Sequence, residues 1–495
     1  MAKQISLSLI LPHVGDEKNL RRTLQSLSAS EGKIQLLHTG GLPAGFRLQQ
    51  AVTLGEEVPS DFGQLLNRAL PHLLGEFVAV IPPGLEIVRD LVPIFEGHLS
   101  KSPNVDYVYG NYFQKNDSGE SILVEVNPCP DDITEREDWG PLELYRVSAL
   151  KEIGGCNPMV CIRHDYDLRL ALTFDRPGLR IPQALCTVPY RESDIESGAE
   201  ALFFPGRGKF GGFSYLFMDP EEEREIEDIF YRALRRNNAY LENPSGVTFS
   251  RLAETSPRVS VIIPVHNRAE FLSLAVSSVQ RGRFSDFEII IVDNASEDDT
   301  LQVARRMTEE DSRISVISLP DNVIAKALNA GLRQARGEYI AQLDSDDEYT
   351  PDTLEVMIQA LDDHLDWALA ISYYELMDET GNTLNDFGVI KHLEYNRNNI
   401  LRVDGAGAVR VWRKAAIEEF GGFNEQDFGH YGEDYDLVLK VSEKYEVGRV
   451  HQVLYRYRRH PGNSDALRPH AMKIKNKTLA RRRAIRRRQE INQQR

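Results

Sequence analysis

A chain of 495 residues is longer than one ordinary hydrophobic core supports, so two or more domains are expected. Hydrophobic residues at 41% and charged residues at 27% exclude a disordered chain, and no apolar run approaches the ~20 residues of a membrane-spanning helix. A net charge of −17 excludes general nucleic-acid affinity, and the start MAKQISLSLILPHV reads as a strand and not as a secretory leader, so a cytoplasmic location is expected.

In chain order, the predicted elements of the first half return in the second. Leu7-Ser8-Leu9-Ile10-Leu11-Pro12 reads against Val259-Ser260-Val261-Ile262-Ile263-Pro264. Asn67-Arg68-Ala69-Leu70 and Gly75-Glu76-Phe77-Val78-Ala79 read against Asn329-Ala330-Gly331-Leu332 and Gly337-Glu338-Tyr339-Ile340-Ala341. Gly154-Gly155 and Asp165-Tyr166-Asp167-Leu168 read against Gly421-Gly422 and Asp434-Tyr435-Asp436-Leu437. The spacing drifts slowly upward, as loop insertions between matching elements would make it do. Two domains of one fold follow, over 1–200 and 257–465. A helical linker over 201–256, holding the acidic stretch Asp219 to Asn238, joins them, and a basic tail over 466–495 follows. Cys129, Cys156, Cys161 and Cys186 lie at irregular spacing and read as buried reduced thiols before a disulfide framework or a zinc site.

The second half alternates short apolar runs with amphipathic helices, the pattern of an α/β fold with a mostly parallel sheet covered by helices on both faces. Val259 to Pro264 predicts a strand, and Asn267, with Glu270 three positions on, predicts the cap of a helix over Phe271 to Gln280. Phe287 to Val292 predicts the next strand, with Ser296 capping a helix to about Thr308. Gly337 to Leu343 predicts a strand ending in Asp344-Ser345-Asp346-Asp347, after which Thr350-Pro351-Asp352 opens a further helix. Acidic residues thus stand at strand ends, the edge of an open α/β sheet where ligands bind.

Carboxylates at i and i+2 on such a turn suit a hard divalent cation, Mn²⁺ or Mg²⁺, that bridges phosphate groups and neutralises a departing diphosphate. The same residues also suit a plain acidic turn ahead of a helix. Five segments in order decide the matter by company: Pro264-Val265-His266-Asn267, Val292-Asp293-Asn294-Ala295-Ser296, Gly337-Glu338-Tyr339 through Asp347, Gly421-Gly422-Phe423, and Gly432-Glu433-Asp434-Tyr435-Asp436-Leu437. Together they resemble glycosyltransferase family 2 over essentially all of Pro257 to Ser464.

That resemblance implies two GT-A-like (Rossmann-like) domains in tandem, with a UDP- or dTDP-sugar donor and inversion at the anomeric carbon. It implies that Pro264 and His266 flank the nucleotide, that Asp293 accepts a hydrogen bond from the pyrimidine, that Asp344 contacts the ribose and that Asp346 ligates the metal. His460 matches a late phosphate or metal contact, although a lone histidine is as often structural. Asp434 matches the general base that takes the acceptor hydroxyl's proton. Glu433 orients that base or caps a helix, Asp436 belongs with the helix, and Gly422 brings backbone close to the acceptor or simply ends a helix. The family's Asn-x-Gly-rich loop is missing; Lys326 in Asp321-Asn322-Val323-Ile324-Ala325-Lys326 either offers its charge to the diphosphate or is solvated.

The first half keeps the frame without the chemistry. Pro82-Pro83-Gly84 stands where the second half has Asp344-Ser345-Asp346, and His38 where it has Asp293, so this copy is read as degenerate and non-catalytic. The tail from Lys473 to Arg495 carries ten lysines and arginines against Glu490 alone; it reads as a solvated helix or as an electrostatic contact with an anionic membrane or acidic partner. The acceptor expected is a glycan, lipid-linked or protein hydroxyl. Two other classes compete: a non-catalytic sugar-nucleotide or glycan-binding protein, and a nucleotidyltransferase or dehydrogenase. The missing Gly-x-Gly-x-x-Gly turn counts against the dehydrogenase.

Overall fold

The computed structural model describes residues 7–13, 17–43, 46, 51–57, 59, 61–115, 120–189, 219–242, 246–250, 256–392, 394–463 and 467–494. The chain divides into two units, Met1–Asn238 and Ala239–Arg495. Residues 201–218, 243–245 and 251–255 of the expected linker lie outside the described residues.

Unit 1 contains β1 (Leu7–Leu11), β2 (Ile34–His38), β3 (Ala51–Thr53), β4 (Phe77–Val80), β5 (Glu86–Ile87), β6 (Tyr107–Lys115), β7 (Ser121–Val124), β8 (Leu144–Arg146) and β9 (Leu179–Pro189). They form one sheet in the order β3-β2-β1-β4-β8-β6-β9-β5, with β7 on β6. Alternation along the strands sends Leu7, Leu9 and Leu11 against the helix Glu17–Ala29 and sends Ile10 towards Leu65, Leu66 and Ala69 of Phe62–Ala69, so helices cover both faces. Unit 2 contains β10 (Val259–Val265), β11 (Phe287–Asn294), β12 (Ile314–Leu319), β13 (Tyr339–Gln342), β14 (Glu348–Tyr349), β15 (Trp367–Met377), β16 (Val389–Ile390), β17 (Arg410–Arg413) and β18 (Glu446–Arg458). Their order is β12-β11-β10-β13-β17-β15-β18-β14, with β16 on β15. The two sheets share strand order and pair orientation throughout. Each runs parallel through its first four strands and then reverses at β8 or β17, so the α/β fold carries a mixed sheet. Strands β10 and β11 are buried along their whole length, which is why they read as unbroken apolar runs.

The repeat extends to atomic detail. The Gly75 amide donates to Ser8 Oγ (2.9 Å), whose hydroxyl donates to Gln35; the Gly337 amide donates to Ser260 Oγ (2.9 Å), whose hydroxyl donates to Glu288. A Cβ at either glycine would lie 2.5 Å (Gly75) or 2.6 Å (Gly337) from the amide nitrogen of that serine, so no side chain fits. Gly337→Ala is therefore expected to cost about 1–3 kcal/mol. A denaturant midpoint for unit 2 that falls accordingly checks this, and Gly75→Ala should do the same in unit 1.

Several sequence readings are corrected. Strand register places His38 opposite Leu11, as Ile291 lies opposite Ile263; since Leu7 and Val259 hold matching places, His38 corresponds to Ile291, and Gly40 falls at the Asp293 position. Asn267 does not cap the helix Ala269–Gln280: its Oδ1 accepts from the Glu297 amide (2.8 Å) and so joins two loops. The helix expected after Ser296 begins at Thr300, because the Ser296 hydroxyl accepts from the Asn267 amide (3.0 Å). The helix Pro220–Arg236, expected in the linker, belongs to unit 1, where Glu225 accepts from the amides of Cys161, Ile162 and Arg163. The C-terminal helix His470–Gln493 is not a solvated tail: Ile474, Ala480, Ala484, Ile485, Arg481 and Arg488 are buried. Cys129, Cys156 and Cys186 are buried and Cys161 is exposed. No helix among the described residues is long and apolar enough to cross a membrane.

Candidate active site

The parallel pairing of β10 with β11 sets Pro264 beside Val292 and Val265 beside Asp293, so the ends of both strands reach one edge of the sheet. Asp293 is 1% exposed, and its two oxygens accept from Ser318 Oγ (3.1 Å) and from the Ser296 amide (3.4 Å). His266 donates from Nδ1 to the Asn294 carbonyl (2.9 Å), which leaves Nε2 to accept from Asn267 Nδ2 (3.2 Å). Pro264, His266 and Asp293 are thus brought together. Lys326 is not joined to them: it is half-exposed on the helix Ile324–Gln334 and pairs with Asp321 at 2.8 Å.

The next strand end carries the acidic turn. Asp347 is buried, accepting from Tyr455 OH (2.8 Å) and the Arg458 amide (2.7 Å). Burial, then the charges of Asp346 and Asp344, push its carboxyl well above the ordinary range. Asp346 is 15% exposed and accepts from His460 Nε2 at 2.9 Å, with Arg268 Nε at 3.4 Å. Burial alone would raise this carboxyl, but the His460 hydrogen bond and the Arg268 charge outweigh it and hold Asp346 below the usual carboxylate value. Arg268 also donates to the Gly462 carbonyl, which ties the first loop of the unit to the segment bearing His460. Asp344 is the exposed member of the turn. Its charge is felt by Asp347 on one side and by Arg410 and Glu433 on the other.

Across from this turn, Gly432 takes a left-handed conformation (φ 87°) and starts the helix Glu433–Ser442, which places Asp434 in its first turn. Asp434 Oδ2 lies 2.7 Å from Arg410 Nη2, and Oδ1 accepts from the Tyr435 amide (2.7 Å). Glu433 is buried; burial and then the Asp434 charge raise its carboxyl well above its normal value. Asp436 pairs with Lys440 one turn along at 2.6 Å, which is the helix role. Arg410 is the residue that sequence reasoning missed. It opens β17 opposite Gln342, two residues before Asp344, and so stands between the acidic turn and Asp434.

Gly422 has a structural task. Asn329 accepts from the Phe423 amide (2.9 Å) and donates to the Phe423 carbonyl (2.8 Å), and a Cβ on Gly422 would meet Asn329 Oδ1 at 2.6 Å. Unit 1 repeats the lock, with Asn67 bound to the amide and carbonyl of Cys156 beside Gly155. A device present in both units is a property of the fold.

No group of three or more His, Cys, Asp or Glu side chains poised around a metal occurs among the described residues. The groups present are Asp346 with His460, and Asp344 beside them. The Gly462 amide donates to His460 Nδ1 (3.2 Å), so Nε2 carries the proton given to Asp346. Such a sparse oxygen-rich set does not fit a closed zinc cage. It fits Mg²⁺ or Mn²⁺, ions that take one or two carboxylates and fill their remaining positions with phosphate oxygens and water.

Residues 260–421 match the family model described as Glycosyl transferase family 2. Unit 2 carries a glycosyltransferase family 2 domain. The chain is 27% identical over 292 residues to the chondroitin synthase of Escherichia coli, covering 57% of this chain and 42% of that protein. It is 30% identical over 213 residues to the hyaluronan synthase of Pasteurella multocida, covering 42% of this chain and 21% of that one. It is also 31% identical over 180 residues to the GalNAc(5)-diNAcBac-PP-undecaprenol beta-1,3-glucosyltransferase of Campylobacter jejuni, covering 35% and 57%. The matched region thus spans less than two thirds of each of these relatives. The family 2 match includes Pro264, His266, Asp293 and the acidic turn and ends at Gly421, short of Asp434, Arg410's partner, and of His460.

Proposed function

We propose that unit 2 is an inverting glycosyltransferase that moves a sugar from a nucleoside diphosphate donor, a UDP-sugar, onto an acceptor hydroxyl in polysaccharide, glycolipid or glycoprotein assembly. The observation carrying this reading is the acidic turn at the end of β13 facing, across Arg410, a half-exposed Asp434. Asp293 and His266 hold the nucleotide, Asp344 the ribose, and Asp346 a divalent cation, with His460 Nε2–H orienting that carboxylate. Bound there, Mn²⁺ or Mg²⁺ supplies positive charge to the leaving diphosphate. Asp434 takes the proton of the acceptor hydroxyl as that oxygen attacks the anomeric carbon from the face opposite the diphosphate. A single carboxylate suffices because no covalent sugar intermediate forms.

Unit 1 is proposed to be non-catalytic. Its turn Pro82-Pro83-Gly84 offers no side-chain oxygen, and its Asp165 is held by both nitrogens of an Arg163 fork at 2.9 and 3.1 Å. By strand register Glu143 stands where unit 2 has Arg410; burial, then the charge of Asp165, push its carboxyl up to about 7. A cation beside the aspartate in one unit is thus a carboxyl in the other.

Incubating the chain with a panel of nucleotide sugars, Mn²⁺ and hydroxyl acceptors tests the reading. Release of nucleoside diphosphate that depends on acceptor is expected. Pyrophosphate release instead indicates a nucleotidyltransferase, and donor binding without turnover a binding protein.

A further inference from the structure

The family 2 match stops before the C-terminal helix, yet that helix reaches the site. We propose that Lys477 of this helix acts through Asp404 and Arg410 as a positioning residue for Asp434. This rests on the reading of Asp434 as the base.

Most cations of this helix explain themselves by packing. Arg488 is buried and donates to Asn398 Oδ1 (3.2 Å) and the Arg397 carbonyl (2.5 Å); Arg487 forks onto Glu443; Arg483 pairs with Asp427 at 2.7 Å. These bonds seat the helix on unit 2. Two residues near its start have a different target. Asn476 Nδ2 donates to the Tyr431 carbonyl (2.7 Å), in the segment that leads into Asp434. Lys477 Nζ lies 3.2 Å from Asp404 Oδ2 and 5.9 Å from the centre of the Tyr431 ring.

Asp404 is the link. Burial would raise its carboxyl, but the charges of Lys477 and then Arg410 outweigh burial and keep it ionised. Arg410 in turn feels Asp434 and Asp404 as its two strongest anionic neighbours, and its Nη2 lies on Asp434 Oδ2 at 2.7 Å. The signs alternate from helix to base: Lys477, Asp404, Arg410, Asp434. In partly buried surroundings each such charge depends on its neighbour, because removing one leaves the next uncompensated. Without Lys477, Asp404 draws the Arg410 guanidinium towards itself, and the fork that orients Asp434 loosens. The loop bearing Asp404 has little freedom to follow, since Tyr435 OH donates to the Ile400 carbonyl (2.6 Å) and Arg449 to the Gly405 carbonyl (3.1 Å).

A base displaced by about 1 Å loses up to about a hundredfold in rate. Lys477→Met is therefore expected to lower kcat about tenfold to a hundredfold while the donor KM stays within about twofold, the signature of an interaction used in the transition state. Lys477→Arg should restore most of the rate, and Asp404→Asn should reproduce the loss. Lys475→Met, an exposed change on the same helix, should leave kcat as it was. Wild-type kcat in Lys477→Met overturns the proposal. So does a loss that Lys477→Arg shares, or one that follows a lowered unfolding temperature, because either is plain structural damage. Asp434→Asn separates the two claims: if it transfers sugar normally the base assignment itself fails, whereas if it is inactive while Lys477→Met is normal only the helix's role fails.

Discussion

Asp434→Asn is expected to lower sugar transfer about 10²–10⁴-fold, the range of a lost general base, with donor affinity unchanged. The donor half proposed for the site lies on the ends of β10, β11 and β13, whereas Asp434 is in the first turn of the helix Glu433–Ser442 and pairs with Arg410. Asparagine keeps an oxygen for the Tyr435 amide, but its amide group would face the Arg410 guanidinium, donor against donor. Steady-state kinetics beside donor titration check this: kcat collapses and donor binding persists. The equivalent change in unit 1, Asp165→Asn, should leave transfer intact if that unit is non-catalytic, as proposed.

Asp346→Ala should remove the dependence of donor binding on the divalent ion. Asp346 meets His460 at 2.9 Å and Arg268 at 3.4 Å. Its loss removes the carboxylate proposed to ligate the ion and frees the Arg268 guanidinium, so the alanine variant should keep a weak, metal-independent attraction for diphosphate. Outer-shell changes at metal sites cost about 10–100-fold, so loss of a direct ligand should exceed about a hundredfold in the Mn²⁺ concentration needed for half-maximal diphosphate release. Unaltered Mn²⁺ dependence would remove Asp346 from the metal site.

The duplication was legible because its markers are local. Gly75 and Gly337 each permit a serine contact no other residue allows, and Asn67 and Asn329 each lock a Gly-Gly turn, so both signals survive in the sequence at matching spacing. The acidic turn was legible for the same reason, since its residues are consecutive. Arg410 was not, because it matters only when β17 pairs with β13 and sets it beside Gln342. Composition alone misreads the tail: the burial of Arg488 and the pairing of Lys477 depend on Asn398, Arg397 and Asp404, acceptors about seventy to ninety residues away that no local pattern announces. The Asn267 and Ser296 caps failed because each side chain spans between loops, a tertiary demand that outweighed capping.

Calorimetric titration of UDP into the intact chain, with Mn²⁺ and again with the ion chelated, tests the central claim most directly. Binding that appears with Mn²⁺, vanishes on chelation and is lost in Asp346→Ala is the predicted result. Equal affinity in all three conditions would contradict the account.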